Sequence, residues 1–117
     1  MFAGKTSFQF VENVADLFLA ATFTKPSQAL CLNIRGNILS VEEFVKILNE
    51  VVPESKGLIS VQDGSPTLPL AYDFAQTGLD KLLPNQPHTS IADGIRRTAD
   101  GFRELLKQGK LHDRDLS

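Results

Sequence analysis

Few side chains in this sequence belong to the types that perform covalent or acid–base chemistry. Its 117 residues include two histidines, one cysteine and one tyrosine. A nucleophilic site of the Ser-His-Asp or Cys-His type needs a histidine base beside the nucleophile. His88 follows a proline in a loop and His112 lies in a charged tail, so an exposed, non-catalytic position is favoured for both. We therefore predict no catalytic residue.

Patterns for metals and phosphates are missing as well. The stretch HDRD at 112–115 comes closest to a cluster of metal ligands, and a solvated charged tail explains it better. The sequence has neither a G-x-G-x-x-G turn nor a G-x-x-x-x-G-K-[ST] loop, so nothing in it is expected to hold a nucleotide phosphate. We expect no metal and no cofactor bound by this chain.

Three arginines and one aspartate remain as candidates for polar contacts. Arg35 follows an apolar run that reads as a strand, and open α/β sheets bind ligands at the carboxyl ends of their strands. It is a candidate ligand-binding residue, with plain surface exposure as the alternative. A solvated helix face or a partner contact is favoured over anion binding for Arg96 and Arg97. Asp63 precedes a glycine and is most simply a turn residue.

An amphipathic helix is predicted near the beginning of the chain. It covers residues 11–23, with Asn13 as the expected N-cap, and follows an extended stretch, SFQFV, at 7–11. One face of this helix is apolar, because Val14, Leu17, Phe18 and Ala21 recur at three- and four-residue steps.

Two apolar runs are predicted to be strands. Residues 29–34, ALCLNI, are nearly all apolar, which is typical of a strand buried on both faces of a parallel sheet. Cys31 would then be a small core residue, and a single cysteine fits a reducing compartment. Residues 57–61, GLISV, form the second candidate strand. The loop that follows contains two prolines and a glycine.

Three further helices are indicated by their end signals. Each predicted helix begins with a polar residue that is followed by a second polar residue three positions later, which is a capping pattern. Each is expected to end at or just before a residue that interrupts or terminates a helix. The starts are Ser40 with Glu43, Asp73 with Gln76, and Ser90 with Asp93; the ends are Pro53, the neighbourhood of Leu83, and Gly109. In the last helix, Gly94 and Gly101 are expected to mark close packing.

Composition excludes several classes of protein. The formal charge is -2, whereas a nucleic-acid-binding protein needs a basic face. No apolar run approaches the roughly 20 residues that cross a bilayer, and the first ten residues do not resemble a signal peptide. We expect no nucleic acid or membrane partner, and a cytoplasmic location.

The predicted fold class is α/β, with about four helices and two or three short strands in one unit that covers residues 1–117. Residues 110–117 are expected to form a frayed tail. So thin a sheet rarely supports parallel strands on its own. The sequence therefore predicts no large sheet within the chain against which the apolar face of the helix at 11–23 could pack.

Three segments, in order, resemble one enzyme family. FQFVENVADLFLAA resembles the F-x-[YH]-V-x-D-V-A stretch of extended short-chain dehydrogenases/reductases, the NAD-dependent epimerase/dehydratase family. ALCLNIRGNILSVEEFVKIL is similar to the next segment of that family, and the stretch from LAYDF to GFREL resembles its ending. The resemblance covers almost the whole chain.

This resemblance implies the C-terminal, substrate-binding part of such an enzyme, without the Rossmann core. That core would carry the NAD or NADP site and a catalytic Tyr-x-x-x-Lys; here Tyr72 is the only tyrosine and position 76 is Gln. The substrate-binding part would supply pocket walls, for which we name Gln9, Arg35 and Asp63. Thr6 and Ser7 stand where nucleotide-sugar enzymes have a phosphate-binding Arg-Asp pair, which favours a smaller sugar acid or another non-phosphorylated polyol.

Two functions from different classes follow. The first is a substrate-domain fragment of an NAD(P)-dependent sugar epimerase, dehydratase or oxidoreductase, not catalytic alone, whose partner is the missing Rossmann domain. The alternative is a self-associating interaction module, a homodimer, derived from that domain. In both cases we expect Val14, Leu17, Phe18 and the flanks of 29–34 to be covered by another chain or domain.

Overall fold

The structure, a computed structural model, describes residues 3–61, 64–67, 69 and 71–111. These residues form a small mixed fold with four α-helices and two antiparallel strands. A short 3₁₀ turn, Pro53–Ser55, follows the second helix. The elements are β1 (Lys5–Phe8), α1 (Val11–Thr22), β2 (Asn37–Ser40), α2 (Val41–Val51), α3 (Thr77–Leu82) and α4 (Ile91–Lys107).

The two strands form an antiparallel ribbon that runs directly into helices. β1 pairs with β2 from Lys5 opposite Ser40 to Phe8 opposite Asn37. The extended stretch predicted at 7–11 therefore pairs earlier, at 5–8, because the chain has already turned into α1 by residue 11. β2 begins at Asn37, and its last residue, Ser40, is also the N-cap of α2.

The prediction of strands at 29–34 and 57–61 is wrong for this chain. Neither run is assigned as strand, and the sheet that does form is antiparallel. Cys31 is exposed rather than buried, and Leu58 is 79% exposed. Apolar composition indicates that a run favours burial, but a strand also needs a partner edge, and the described residues provide none for these two runs.

The first helix agrees with the prediction in position but not in its cap. α1 covers Val11–Thr22, and its N-cap is Phe10, which makes no side-chain capping bond. Asn13, the expected cap, lies inside the helix, where its Oδ1 accepts a hydrogen bond from the Thr89 hydroxyl at 2.8 Å. An amide side chain thus joins α1 to the start of α4.

The end signals of α2 and α4 are confirmed. Ser40 and Glu43 form a complete capping box, and the Ser90 side chain accepts a hydrogen bond from the Asp93 backbone N–H. At the other end of α4, Gly109 has φ +63° and the Lys110 N–H donates to the Leu105 carbonyl, the geometry of a Schellman stop. Pro53 follows α2 directly as predicted.

The third helix begins later than its capping pattern predicted. α3 covers only Thr77–Leu82, and Gln76 is its N-cap without a side-chain capping bond. Asp73 instead forms an ion pair with Arg35. The predicted end near Leu83 is confirmed, because Leu83 is the C-cap.

Packing is concentrated where the ribbon meets α2 and α4. Among the described residues, the buried apolar side chains are Leu17, Val41, Leu79 and Ile95. The rings of Phe8 in β1 and Phe44 in α2 stack in parallel, with centroids 4.3 Å apart. Close packing is confirmed at Gly94, where an added Cβ would lie 3.3 Å from the Phe10 ring, and is wrong at Gly101, where it would meet nothing within 4 Å.

The chain has more surface than a compact monomer of its mass. Its accessible area is 8592 Å², against about 6,300 Å² expected for a folded monomer of 12.8 kDa. Its Cα radius of gyration is 17.1 Å, against about 13 Å expected for a compact domain of this length.

No helix in the described part of the chain combines the length and the apolar content needed to cross a bilayer.

Candidate functional site

A small polar cleft forms where β1 ends and α1 begins, opposite residues 34–37. It has a volume of about 80 Å³. Polar side chains at its wall come from three separate parts of the sequence: Gln9, Asn13, Arg35, Asn37, Gln86 and His88. We call this space the polar cleft. Two of the predicted pocket residues, Gln9 and Arg35, therefore meet here although they lie 26 positions apart.

Two hydrogen bonds and a close approach of the backbone hold the chain around Gln9 against the segment before β2. The Gln9 side-chain Nε2 donates to the Ile34 carbonyl at 2.7 Å. The next glycine, Gly36, donates its N–H to the Ser7 hydroxyl at 2.9 Å. A Cβ at Gly36 would lie 2.2 Å from the Phe8 carbonyl oxygen, so a glycine is needed for the two segments to approach this closely.

Arg35 is positioned through both its backbone and its side chain. Its backbone N–H donates to Gln76 Oε1 at 2.6 Å, and its Nε lies 2.9 Å from Asp73 Oδ1. The two side chains of this ion pair are 49% and 59% exposed, so the pair adds at most about 1 kcal/mol to stability. The charged groups of Arg35 and Asp73 therefore contribute little to the stability of the fold and remain accessible to solvent.

A network of amides and a carboxylate supports the backbone beside Arg35. Gln76 Nε2 donates to Asp80 Oδ1 at 2.9 Å and to Gln86 Oε1 at 3.1 Å. Gln86 Nε2 donates to the same Asp80 oxygen at 2.9 Å. Since Gln76 also accepts from Arg35, the network joins α3 and the loop before α4 to the segment before β2.

Beside the polar cleft lies a second, open depression that shares Arg35 with it. Its volume is about 580 Å³. We call it the acidic hollow, because its charged residues are one arginine and two aspartates. Its lining consists of Arg35, Asp73, Phe74, Ala75, Gln76, Thr77 and Asp80.

An apolar groove of about 370 Å³ is lined by residues of the ribbon, α2 and α4. The stacked rings of Phe8 and Phe44 contribute to its wall, together with Ile95 and Phe102. At the α1 end of the groove, Phe10 packs on Gly94 and carries the Arg97 guanidinium 4.6 Å above its ring. Arg97 also forms an ion pair with Glu12, so it connects α4 to α1 as a structural contact.

The carboxylates with altered acidity lie at helix ends rather than in the cleft. Hydrogen bonds from the Ser40 backbone N–H and hydroxyl lower the pKa of Glu43. A hydrogen bond from Ser90 and a second from Arg96 lower the pKa of Asp93. These shifts favour the charged carboxylates in the capping motifs, and their role is structural.

The predicted site residues have different outcomes. Gln9 and Arg35 are brought together, whereas Asp63 lies outside the described residues, as does His112. Sequence reasoning missed Asp73, Gln76 and Asp80 as neighbours of Arg35. The spacing of Asp73 and Gln76 was interpreted as a helix cap, and nothing in the spacing of the three residues indicates their contact with the segment at Arg35.

The polar side chains of the polar cleft and of the acidic hollow can exchange hydrogen bonds with a polar ligand. Within the described residues, no group of three or more His, Cys, Asp or Glu side chains is placed to hold a metal ion. His88, in the polar cleft wall, has no cysteine or serine among the other residues that line that cleft. The chain matches no protein-family model, no curated protein and no solved structure in the comparisons made.

Proposed function

We propose that this chain is the substrate-binding part of an NAD(P)-dependent sugar epimerase, dehydratase or oxidoreductase, and that it is not catalytic alone. The observation that carries the proposal is the convergence at Arg35. Each of the three segments that resemble the extended short-chain dehydrogenases contributes there: Gln9 from the first, Arg35 from the second, and Gln76 with Gln86 from the third.

The unpaired segments of the chain also favour a missing neighbour. Residues 29–34 alternate partly between exposed and half-buried positions as a strand does, yet they join no ladder within the described residues. A nucleotide-binding sheet in the same protein, or in a partner, would offer that segment an edge. In this proposal NAD or NADP binds to that second part, and the present chain closes over a small carbohydrate-like substrate.

Cofactor binding by the chain alone tests the proposal. We expect no change in NADH fluorescence, and no heat of binding with NAD or NADP, up to millimolar concentration. Micromolar affinity would contradict the proposal, since the cofactor would then have a site within these residues. Circular dichroism of the same sample checks that the helices are folded.

The DNA upstream of the Met1 codon provides an independent test. We expect this DNA to encode a glycine-rich nucleotide turn and a Tyr-x-x-x-Lys motif, either in the same open reading frame or in the neighbouring open reading frame. An upstream region that encodes neither would argue against an enzyme and in favour of the second candidate function.

The second candidate is a self-associating module, and the outer face of α1 favours it. Four apolar side chains of this face and the adjoining turn are exposed: Val11 at 71%, Phe18 at 67%, Leu19 at 60% and Phe23 at 79%. Adjacent exposed apolar side chains on a single chain are typical of a surface that binds another protein chain. A second copy of the chain could cover it as well as a second domain could.

Light scattering coupled to size exclusion distinguishes the two candidates. A well-defined dimer that Phe18→Ser converts to monomer supports the module. Leu58→Ser is the matched control, because Leu58 is 79% exposed but lies outside α1. A monodisperse monomer at 100 μM would contradict self-association.

A further inference from the structure

The lining of the acidic hollow indicates which class of substrate its residues accept. Its charged groups are Arg35, Asp73 and Asp80, which give one positive and two negative charges. Arg35 is already paired with Asp73, so its charge is largely neutralised locally. A sugar acid or a phosphate placed there would meet the Asp80 carboxylate, which is hydrogen-bonded to two amides but forms no ion pair with the lining, and an arginine already paired with Asp73.

The Arg35–Asp73 pair places hydrogen-bond donors beside acceptors in the lining of the hollow. The 2.9 Å contact with Asp73 is made by Nε of the Arg35 guanidinium, and its two Nη groups are further hydrogen-bond donors. Asp73 keeps its second oxygen as an acceptor. A hydroxyl both donates and accepts, so neighbouring hydroxyls of a polyol match this pair, whereas an ionised carboxylate offers only acceptors.

The hollow also contains one aromatic surface. Phe74 is half-buried and lines the hollow between Asp73 and Gln76. The C–H faces of a sugar ring are apolar and pack on aromatic rings, while the hydroxyls at the ring edge reach polar neighbours. An aromatic ring beside a donor–acceptor pair therefore suits a cyclic polyol.

We propose that the Arg35–Asp73 pair, with Phe74, binds a neutral polyhydroxylated ring and discriminates against sugar acids and phosphates. This inference rests on the proposed function for the role of the ligand as a substrate, and it narrows that proposal to an uncharged sugar. Asp73 is the specificity residue, because it supplies an acceptor for hydroxyls and repels anions.

Proton–nitrogen correlation spectra of the ¹⁵N-labelled chain test this at single residues. D-galactose, D-glucuronate and inorganic phosphate are titrated separately at constant ionic strength. We expect D-galactose to shift the amides of Arg35 and of residues 73–80 in a saturable way. D-glucuronate should bind about threefold to fivefold more weakly, as exposed charges allow, and phosphate should leave these amides unshifted.

Asp73→Asn should reverse this preference. The variant loses an anionic acceptor and frees the Arg35 charge, so galactose weakens while glucuronate tightens, each by about threefold to fivefold. Asp100→Asn is the matched control, since Asp100 also forms an exposed ion pair, with Arg103 on α4. The control should keep the affinities of the unmodified chain.

Three results would overturn the inference: no saturable shift near Arg35 with galactose, tighter binding of glucuronate or phosphate, or an unchanged preference in Asp73→Asn. The same spectra show whether each variant is folded. None of these results depends on NADH, so failure here is distinct from failure of the proposed function, which cofactor binding decides.

Discussion

α1 and α4 are both amphipathic, but different interactions define them. α4 has a side-chain cap at Ser90, a glycine stop, and ion pairs three residues apart at Asp93–Arg96 and Asp100–Arg103. α1 has no side-chain cap and no basic residue in its last turn. Its outer face carries Phe18 and Leu19, which are mostly exposed. α4 is specified locally, whereas α1 depends on what packs against it.

A contrast also exists between the segment that follows α1 and the segment that precedes α4. The chain after α1 continues into 29–34, which is apolar and unpaired within the described residues. The chain before α4 is tied down by Gln86 and Thr89, which hydrogen-bond to side chains of α3 and α1. The segment before α4 is therefore held by hydrogen bonds within this chain, whereas 29–34 joins no strand among the described residues.

The largest effect on stability is expected from a pair of substitutions that compares the buried inner face of α1 with its exposed outer face. Leu17 is 6% exposed, so Leu17→Ala should lower the free energy of unfolding by about 3 kcal/mol through lost burial and a cavity. Leu19→Ala, two positions along and 60% exposed, should change it by less than about 0.5 kcal/mol. Urea unfolding followed by circular dichroism measures both. Equal losses would mean that the outer face is already packed within the chain.

A smaller effect is expected at the contact that brings Gln9 beside Arg35. Gly36→Ala places a Cβ 2.2 Å from the Phe8 carbonyl oxygen, and we expect a loss of about 2 kcal/mol in the free energy of unfolding.

Gly101→Ala is the matched substitution in α4, where the new Cβ meets nothing within 4 Å. It should stabilise the protein by about 0.5 to 1 kcal/mol, because alanine favours the helix. If Gly36→Ala were as well tolerated as Gly101→Ala, the close approach of the two segments would be wrong.

The smallest effect concerns the pH dependence of the two capped helices. The folded-state pKa values of Glu43 and Asp93 are lowered, so their contribution is complete above the unfolded pKa near 4 and is lost as pH falls through the folded value.

Urea midpoints at pH 7 and pH 3 measure this loss. Glu43→Gln and Asp93→Asn should each show a smaller drop than the unmodified chain, and Ser90→Ala should reduce the drop as Asp93→Asn does. A drop of unchanged size in all three variants would show that the capping carboxylates do not cause the acid sensitivity.

Sequence reasoning succeeded where the signal is short in range. The capping box at Ser40, the cap at Ser90 and the stop at Gly109 each depend on atoms within about one helical turn. It failed at Asp73, which shows the same spacing to Gln76. The Asp73 carboxylate does not cap a helix but forms an ion pair with Arg35, 38 positions away. The pattern was real, but a distant arginine competed for the carboxylate.

For the candidate site, the sequence supplied two members and the tertiary structure supplied their neighbours. Arg35 and Gln9 were chosen as pocket residues, and the structure places both in the polar cleft. Gln76 and Asp80 could not be assigned in advance, because their roles depend on the hydrogen bonds that join α3 to the segment before β2. No spacing rule along the chain describes that contact.

The sequence by itself determined where α1 lies and where α2 and α4 begin and end, because caps, stops and helical spacing act through neighbouring residues. Only the tertiary structure decided the pairing of β1 with β2, the inward position of Leu17 beside the outward Phe18, and the meeting of Arg35 with Asp73. Those features depend on which surfaces approach each other in space, and apolar composition indicates only that a segment favours burial, not which partner buries it.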